Sequence, residues 1–327
     1  MVQESLPYLT ALTVALVEGL ERWPRELLEP HRRFLLAQQQ PDGGFRGRSE
    51  NSDLYYTSFG LRALAVLQAW DTNVAQHAAA YLRSRLAGTA QLIDFFAWLS
   101  SAALLQWCGC DLWADAPPDW QSRLATLLER FRTPDGGYGR LPGATHGSTY
   151  VSFLVSLTAQ LLDIHLPEAE RLIKFVHARR GTDGGFVDVA AQKRSSTNPT
   201  AAALAILQLY DALDSATMNS AGQFLLRMYA PEEGGWRAHD RIPLADLLST
   251  FTAAWTLTRL GWAERLAWDR LGHYAWSCAL PAGGFLAGCW DNQPDVEYTF
   301  YGLGVLALTA VHLPQSSIPY RFPDVGK

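Results

Sequence analysis

Two kinds of apolar pattern alternate along the chain. One kind carries a single apolar stripe among charged residues, as expected for helices that cover a core on one side. The other kind is apolar on nearly every face and must be buried on most sides. The striped segments are predicted at 25–39, 73–86, 120–132, 167–180, 215–229 and 264–278, and the apolar segments at 53–70, 92–107, 150–163, 200–211, 246–260 and 297–311. A further helix is predicted over 6–20, ahead of both series.

A Gly-Gly-aromatic turn recurs ahead of the apolar segments. It occurs as Gly43-Gly44-Phe45, Gly136-Gly137-Tyr138, Gly184-Gly185-Phe186, Gly234-Gly235-Trp236 and Gly283-Gly284-Phe285. After Gly136 the first glycines follow at intervals of 48, 50 and 49 residues, and the gap of 93 residues before it holds two periods. A repeat of about 50 residues is typical of architectures in which each unit packs on its neighbours. Residues 86–90 replace the turn in the second unit, which predicts a shortened loop.

Six inner and six outer helices in strict alternation predict an all-α fold. The architecture expected is an α/α toroid, a six-fold α-α barrel whose inner helices surround a central cavity. One domain of six repeats over 1–327 is predicted, because each repeat buries its apolar face against the next. A linear solenoid of helix pairs is the alternative. All the turns precede inner helices, so the turns and their polar loops should gather at one end, the predicted functional rim.

Composition narrows the class of protein. Hydrophobic residues make up 48% and charged residues 18% of the chain, as in ordinary soluble core-forming domains. A formal charge of −5 without a basic block argues against nucleic acid as a partner. No apolar run reaches the ~18 residues of a transmembrane segment, and the first residues lack the basic region of a secretory signal. The expected location is therefore the cytoplasm.

Aromatic residues collect near the starts of the inner helices, towards the predicted rim. Core packing explains any one of them. Together they predict a hollow lined by rings, which suits a long apolar ligand. The candidates for this lining are Tyr55, Tyr56, Phe95, Phe96, Tyr150, Phe153, Phe251, Trp255 and Phe300.

Charged residues in the rim loops suggest an anionic head group. Lys193 and Arg194 precede the fourth inner helix, and His239 and Arg241 precede the fifth. Since the two loops are adjacent in a ring, these four side chains could hold a diphosphate, with Arg supplying bidentate contacts. The alternative is that they are solvated loop residues.

Carboxylates begin the fifth and sixth inner helices. Asp246 starts the fifth, and Asp295 and Glu297 start the sixth. Helix N-termini stabilise carboxylates through free N–H groups and the helix dipole, so capping alone explains all three.

These residues resemble the prenyltransferase and squalene-cyclase repeat superfamily, above all the β subunits of protein prenyltransferases of the geranylgeranyltransferase type II (Rab) kind. The resemblance covers nearly the whole chain: the turns, 53–57, 295–304 and the tail at 318–325. It implies that the aromatic cavity binds an isoprenoid diphosphate, geranylgeranyl or farnesyl. It further implies prenyl transfer and a helical α-type partner subunit. That family places a His in the fourth unit's loop and an Arg and a Lys in the fifth; here positive charge is kept but residue identity is not.

The catalytic zinc site implied by that family is only partly matched. Its ligands are an Asp and a Cys two residues on, at the start of the fifth inner helix, and a His at the start of the sixth. Asp246 matches the Asp, but Leu248 stands in place of the thiolate and Tyr298 in place of the His. Catalytic zinc needs three protein ligands, so the site is predicted to be degenerate and no metal cofactor is expected. Three loop residues could in principle form a different metal site, but their spacing matches no known ligand pattern: Cys289, Asp291 and His239.

A resemblance to class II terpene cyclases supplies a second hypothesis. Those enzymes carry Asp-x-Asp-Asp at this helix start, and the middle acid protonates an alkene or epoxide. In Asp295-Val296-Glu297-Tyr298-Thr299, Glu297 takes the place of that acid and Tyr298 replaces the last Asp. Burial among aromatic rings would raise the pKa of such an acid. Against this hypothesis, those cyclases use two such domains, and Asp-x-x-Tyr-Thr also occurs at 53–57.

Three functional hypotheses remain open from the sequence. The first is a prenyltransferase-like protein that binds an isoprenoid diphosphate. The second is a terpene-cyclase-like enzyme with Glu297 as general acid. The third is a non-catalytic isoprenoid-binding or scaffold protein. The candidate catalytic residues are Asp246, Asp295, Glu297 and Tyr298.

Overall fold

The structure, a computed structural model, describes residues 6–49, 51–85, 91–114 and 116–314. The degenerate turn at 86–90 and the tail motif at 318–325 lie outside the described residues. The helices are α1 (Tyr8–Leu20), α2 (Arg25–Ala37), α3 (Leu54–Val66), α4 (Thr72–Arg85), α5 (Leu92–Gln106), α6 (Trp120–Glu129), α7 (Thr149–Leu161), α8 (Ala169–His177), α9 (Thr197–Leu209), α10 (Ser215–Arg227), α11 (Leu247–Arg259), α12 (Trp268–Cys278) and α13 (Val296–His312).

Extended structure is confined to the turns of the described part. A first antiparallel pair joins β1 (Phe45–Arg46) to β2 (Ser52–Asp53), and a second joins β3 (Tyr229–Ala230) to β4 (Gly235–Trp236). Within the described ranges no helix has the length and hydropathy of a membrane span.

The predicted α/α toroid is confirmed. The inner helices α3, α5, α7, α9, α11 and α13 each contact the next, and α13 contacts α3. The ring is therefore closed, which excludes the linear solenoid. The helices α2, α4, α6, α8, α10 and α12 form the outer layer.

Contacts between the last repeat and the first close the ring. Gly283 has a φ of +99°, and a Cβ added there would lie 2.1 Å from the carbonyl oxygen of Pro30 in α2. Glycine is needed at this position both for the left-handed backbone and for the close approach. Gly284 N–H then donates to His31 Nδ1 over 3.1 Å. Burial lowers the pKa of His31 to about 4, so the ring is neutral at pH 7 and Nδ1 is free to accept.

A second kind of hydrogen bond recurs in five repeats and anchors each Gly-Gly-aromatic turn to the inner helix that follows it. The aromatic residue after each Gly-Gly pair is buried, and its N–H donates to a hydroxyl in the first turn of the following inner helix. The pairs are Phe45–Thr57 (2.9 Å), Tyr138–Ser152 (2.9 Å), Phe186–Thr200 (2.9 Å), Trp236–Thr250 (2.9 Å) and Phe285–Thr299 (3.2 Å). Since a buried N–H without a partner is costly, these bonds fix how each turn approaches its helix.

Helix α1 crosses the end of the ring opposite the turns. Its first residue, Tyr8, donates from N–H to Oε1 of Gln160 near the end of α7 over 2.7 Å. Its last turn packs on α13, where a Cβ added at Gly19 would lie 2.2 Å from the carbonyl oxygen of Ala307. One helix thus spans the ring and covers part of its far end.

Candidate functional site

The ring of inner helices encloses a cavity of about 750 Å³, within the range typical of ligand pockets. It extends from the rim ends of the inner helices to α1. Of the nine predicted lining residues, Tyr56 and Phe95 lie outside the lining. Those in the lining are Tyr55, Phe96, Tyr150, Phe153, Phe251, Trp255 and Phe300.

One wall of the cavity is a cluster of interlocked rings. The Phe59 ring lies 4.9 Å from that of Tyr55, 5.7 Å from Phe300 and 5.4 Å from Tyr301, centroid to centroid. Phe251 extends the cluster, with its centroid 5.6 Å from that of Tyr301. These edge and tilted contacts hold the rings in place and present π faces and edges to the cavity.

Glu297 is the one predicted catalytic residue bonded to the cavity wall. Tyr55 donates its phenol O–H to Oε1 of Glu297 over 2.7 Å. Burial raises the pKa of Glu297 to about 7, with Asp295 acting in the same direction and hydrogen bonds from Tyr55 and Tyr301 opposing it. Both tyrosines line the cavity. At neutral pH this carboxyl group can therefore donate or accept a proton next to the cavity.

Asp246 and Asp295 serve as helix caps. Asp246 accepts from Ser249 N–H at 2.7 Å and from Ser249 Oγ at 2.8 Å. Asp295 accepts from Tyr298 N–H at 2.8 Å, and its other oxygen accepts from Arg48 Nε at 2.8 Å. Tyr298 lies beneath Arg48, with the guanidinium carbon 5.7 Å from the ring centroid. A catalytic role for these three residues stays a prediction.

The residues at the family's zinc positions do not fit a catalytic zinc. Both oxygens of Asp246 already accept hydrogen bonds, Leu248 lines the cavity with an aliphatic side chain, and Tyr298 brings no imidazole. Across the described ranges no cluster of three or more His, Cys, Asp or Glu side chains is placed to hold a metal ion. Of the other loop candidates, Asp291 pairs with Arg48 at 2.6 Å.

The predicted diphosphate ligands are brought together in part, but not at the cavity. Lys193, Arg194 and Arg241 line a separate polar cleft beside α10, which shares no lining residue with the central cavity. Arg194 forms an ion pair with Asp240 there at 2.8 Å. His239 lies in neither lining; its Nδ1 accepts from the N–H of Arg241 at 3.2 Å. Diphosphate binding by these residues stays a prediction.

A half-buried arginine inside the cavity is the functional candidate that the sequence analysis missed. Arg62 lines the cavity from α3, and one of its terminal nitrogens donates to Ser100 Oγ over 3.1 Å. Its guanidinium carbon lies 5.3 Å from the Phe59 centroid and 5.5 Å from that of Phe96. The signal for it was a lone Arg in an otherwise apolar inner helix.

Sequence comparison decides the family. The profile of the prenyltransferase alpha-alpha toroid domain matches residues 26–83 and 146–320, well over half of the chain. The chain belongs to this family. No curated protein sequence matches this prenyltransferase-family chain.

Solved structures similar to this prenyltransferase-family toroid show the same fold at low identity. Candida albicans protein geranylgeranyltransferase-I complexed with GGPP is 16% identical, with a TM-score of 0.71 over 86% of this chain and 91% of that chain. A variant of the type II terpene cyclase MstE from Scytonema, in complex with the substrate geranylgeranyl dihydroxybenzoate, is 14% identical, with a TM-score of 0.58 over 93% and 98%.

A third similar structure has an unrelated activity. An inactive variant of the alpha-1,6-mannanase GH76A of Salegentibacter sp. HEL1_6, in complex with alpha-1,6-mannotriose, is 12% identical, with a TM-score of 0.63 over 88% of this chain and 98% of that chain. The fold alone therefore does not set the ligand, which must be argued from the site.

Proposed function

We propose that this prenyltransferase-family protein binds an isoprenoid chain in its central cavity. The observation that carries the proposal is the hollow of about 750 Å³ walled by the ring cluster. A hydrocarbon chain that enters this cavity loses contact with water, and its burial contributes about 25 cal/mol to the binding free energy for each Å² of apolar surface buried. Two similar structures bind geranylgeranyl compounds, which supports a chain of this kind. A cytoplasmic location and a helical partner subunit stay predictions.

Prenyl transfer would have to differ from zinc-thiolate chemistry, because the ligand positions hold Leu248 and Tyr298. The predicted diphosphate ligands Lys193, Arg194, His239 and Arg241 are a separate part of the proposal. Three of them line a cleft that shares no lining residue with the cavity. Binding of the diphosphate and of the chain can therefore be tested independently.

Acid-initiated cyclisation is the second candidate, favoured by the raised pKa of Glu297. In this reaction protonated Glu297 transfers its proton to a terminal alkene and becomes a carboxylate. The proton forms a C–H bond and leaves a tertiary carbocation, which the π electrons of the next alkene attack. Loss of a proton from the last cation completes the balance. The aromatic wall would stabilise the cations through their attraction to π faces.

The binding proposal is tested by filling the cavity. Ala202 lines it from α9, so Ala202→Phe should place a ring in the hollow and weaken the binding of geranylgeraniol at least tenfold by calorimetry. Ala216→Phe on the exposed face of α10 is the matched control and should bind as the unaltered protein does. If the unaltered protein gives no heat with geranylgeraniol at high micromolar concentration, the binding proposal is wrong.

The two catalytic candidates differ in their dependence on Glu297. Incubation with a linear polyprenyl substrate and analysis for cyclic products should show turnover that Glu297→Gln abolishes if the protein is a cyclase. Retained turnover in that variant would exclude Glu297 as the acid. Binding without turnover in either protein would leave the isoprenoid-binding role alone.

A further inference from the structure

Arg62 lies deep inside the cavity rather than at its mouth. It is the ninth residue of α3, and at 1.5 Å per residue it lies about 12 Å from the rim end of that helix. Ser100 holds the ninth position of α5, so the two side chains meet at the same depth. Ser58 completes the group, with its Oγ 3.3 Å from that of Ser100.

The charge of Arg62 has no counter-ion among the described residues. One hydrogen bond to a neutral hydroxyl and two aromatic rings are its partners there. The acidic groups acting on it are the phenols of Tyr55, Tyr150 and Tyr301, which are uncharged at neutral pH. Burying a cation without an anion is costly, and this cost is recovered when an anion binds.

We propose that Arg62, with Ser58 and Ser100, is a subsite for a carboxylate, and that the ligand is an amphipathic acid with a long hydrocarbon chain. The inference rests on the proposed function, because it assumes that the chain occupies the cavity. Guanidinium N–H groups match the two oxygens of a carboxylate in geometry. The Ser58 hydroxyl can turn from Ser100 and donate to it, while the Ser100 hydroxyl donates to the carbonyl of Ala97 and accepts from Arg62.

The lining differs between the two sides of Arg62. Between Arg62 and the rim the lining includes polar side chains: Tyr55, Asp94, Tyr150, Asp188 and Asn198. Asn198 Oδ1 is buried and has no hydrogen-bond partner within the described part. Beyond Arg62, towards α1, the lining is mainly apolar, with Leu9, Leu12, Leu104, Leu157 and Leu161. Apolar lining is therefore available to the hydrocarbon tail on both sides of the acid head, in the ring cluster and towards α1.

A diphosphate fits this position less well than a carboxylate. Arg62 is the sole Arg or Lys in the cavity lining of the described residues, whereas Asp94 and Asp188 also line it. A diphosphate carries more negative charge than one arginine can balance, and the two carboxylates would repel it. One positive charge matches one carboxylate.

The test compares matched head groups on one chain. Calorimetry at pH 8 would measure the binding of geranylgeranoic acid, geranylgeraniol and geranylgeranyl diphosphate to the intact protein. We expect the acid to bind at least tenfold more tightly than the alcohol. Equal affinities for acid and alcohol would overturn the subsite, while the binding of the alcohol would still support the proposed function. If none of the three binds, both proposals fail. A diphosphate that binds more tightly than the acid, and competes with the alcohol, would also overturn the carboxylate assignment.

Substitutions test whether the Arg62 side chain causes the preference for the acid over the alcohol. Arg62→Met should keep the affinity for the alcohol within about threefold and lose the preference for the acid, and Arg62→Lys should keep part of that preference. Arg123→Met removes an exposed arginine of α6, outside the cavity, and should leave the preference unchanged. If Arg62→Met does not fold, the ratio of the affinities for acid and alcohol, measured in the unaltered protein and in Ser100→Ala, still tests the carboxylate subsite. A preference that survives in Arg62→Met or falls in Arg123→Met would contradict the inference.

Discussion

At the scale of single residues, the protonation of Glu297 is coupled to folding. Its pKa in the folded protein is raised to about 7 because burial disfavours the charged form. Because the pKa is higher in the folded protein, protonated Glu297 contributes its full stabilisation of the fold below the unfolded pKa of 4.5. This stabilisation is lost as the pH rises towards 7, and it stays lost at higher pH. Around the carboxyl group, Asp295 adds to the shift, while Tyr55, Tyr301 and Arg48 oppose it.

Glu297→Gln should therefore change the pH dependence of stability. The amide can still accept from Tyr55 but carries no charge, so the variant should gain stability relative to the unaltered protein as the pH rises from 5 to 8. We expect a relative gain of about 2 kcal/mol in the free energy of unfolding, measured by urea denaturation. Parallel pH profiles for the two proteins would show that Glu297 ionises normally in the folded state.

The positions of side chains on helices could be predicted from the sequence, whereas the positions of side chains in loops could not. Seven of the nine predicted aromatic residues line the cavity because helical periodicity determines which side faces inwards. Periodicity does not determine where a loop side chain points, so Lys193 and Arg194 were expected at the mouth and lie in a separate cleft. Arg62 was missed because the depth of a residue within the ring, and the absence of a nearby carboxylate, depend on the packing of several helices.

At the scale of elements, side-chain caps mark the starts of four inner helices, α3, α7, α11 and α13, but not those of α5 and α9. The fourth inner helix was predicted from residue 200 but begins at Thr197. Pro199 is only its third residue, where the backbone N–H has no partner within the helix to lose. The last outer helix was predicted from 264, but a 3₁₀ turn (Ala263–Arg265) precedes α12 at Trp268. The apolar pattern thus predicted that these helices exist but not the residues at which they begin.

Asp246 allows a test of the capping role against the zinc-ligand role. Asp246→Ala removes the acceptor for both Ser249 groups and should lower the free energy of unfolding by about 1–2 kcal/mol, whereas Asp246→Asn should cost less. Asp214 is the matched control because it makes the same two bonds, at 2.8 Å to Thr217 N–H and 2.8 Å to its hydroxyl, at an exposed helix start.

Asp214→Ala should cost less than Asp246→Ala, because water can replace the exposed carboxylate. Thermal melts of the unaltered protein with and without excess zinc should coincide. A zinc-dependent rise in Tm that Asp246→Ala removes would restore Asp246 as a metal ligand.

At the scale of the whole molecule, the ring depends on a seam formed by residues far apart in the chain. Arg48, which follows β1, bridges Asp291 and Asp295 ahead of α13, at 2.6 and 2.8 Å. The two carboxylates are 5% and 2% exposed, so each would be a buried, unpaired charge without the arginine. The pKa of Asp291 lies below its usual range because hydrogen bonds from Arg48 and from backbone N–H groups outweigh the effect of burial.

Arg48→Met should weaken this seam and lower the free energy of unfolding by about 3 kcal/mol, measured by urea denaturation at pH 7. Arg194→Met breaks an ion pair whose side chains are 44% and 53% exposed, and should cost less than about 1 kcal/mol. Similar losses in the two variants would mean that the seam is held by packing rather than by the Arg48 bridge.

Closure of the ring has a consequence for how the chain folds during synthesis. Tyr55 and Glu297 are separated by 242 positions, and Trp23 and the carbonyl of Leu306 by 283. The first repeats therefore leave the ribosome long before their partners exist, and their inner faces cannot be enclosed until the final repeat is made. Until then the nascent protein presents the apolar side of an unfinished arc to water. A message truncated just before residue 296 should yield an aggregating product, even though five of the six repeats are complete.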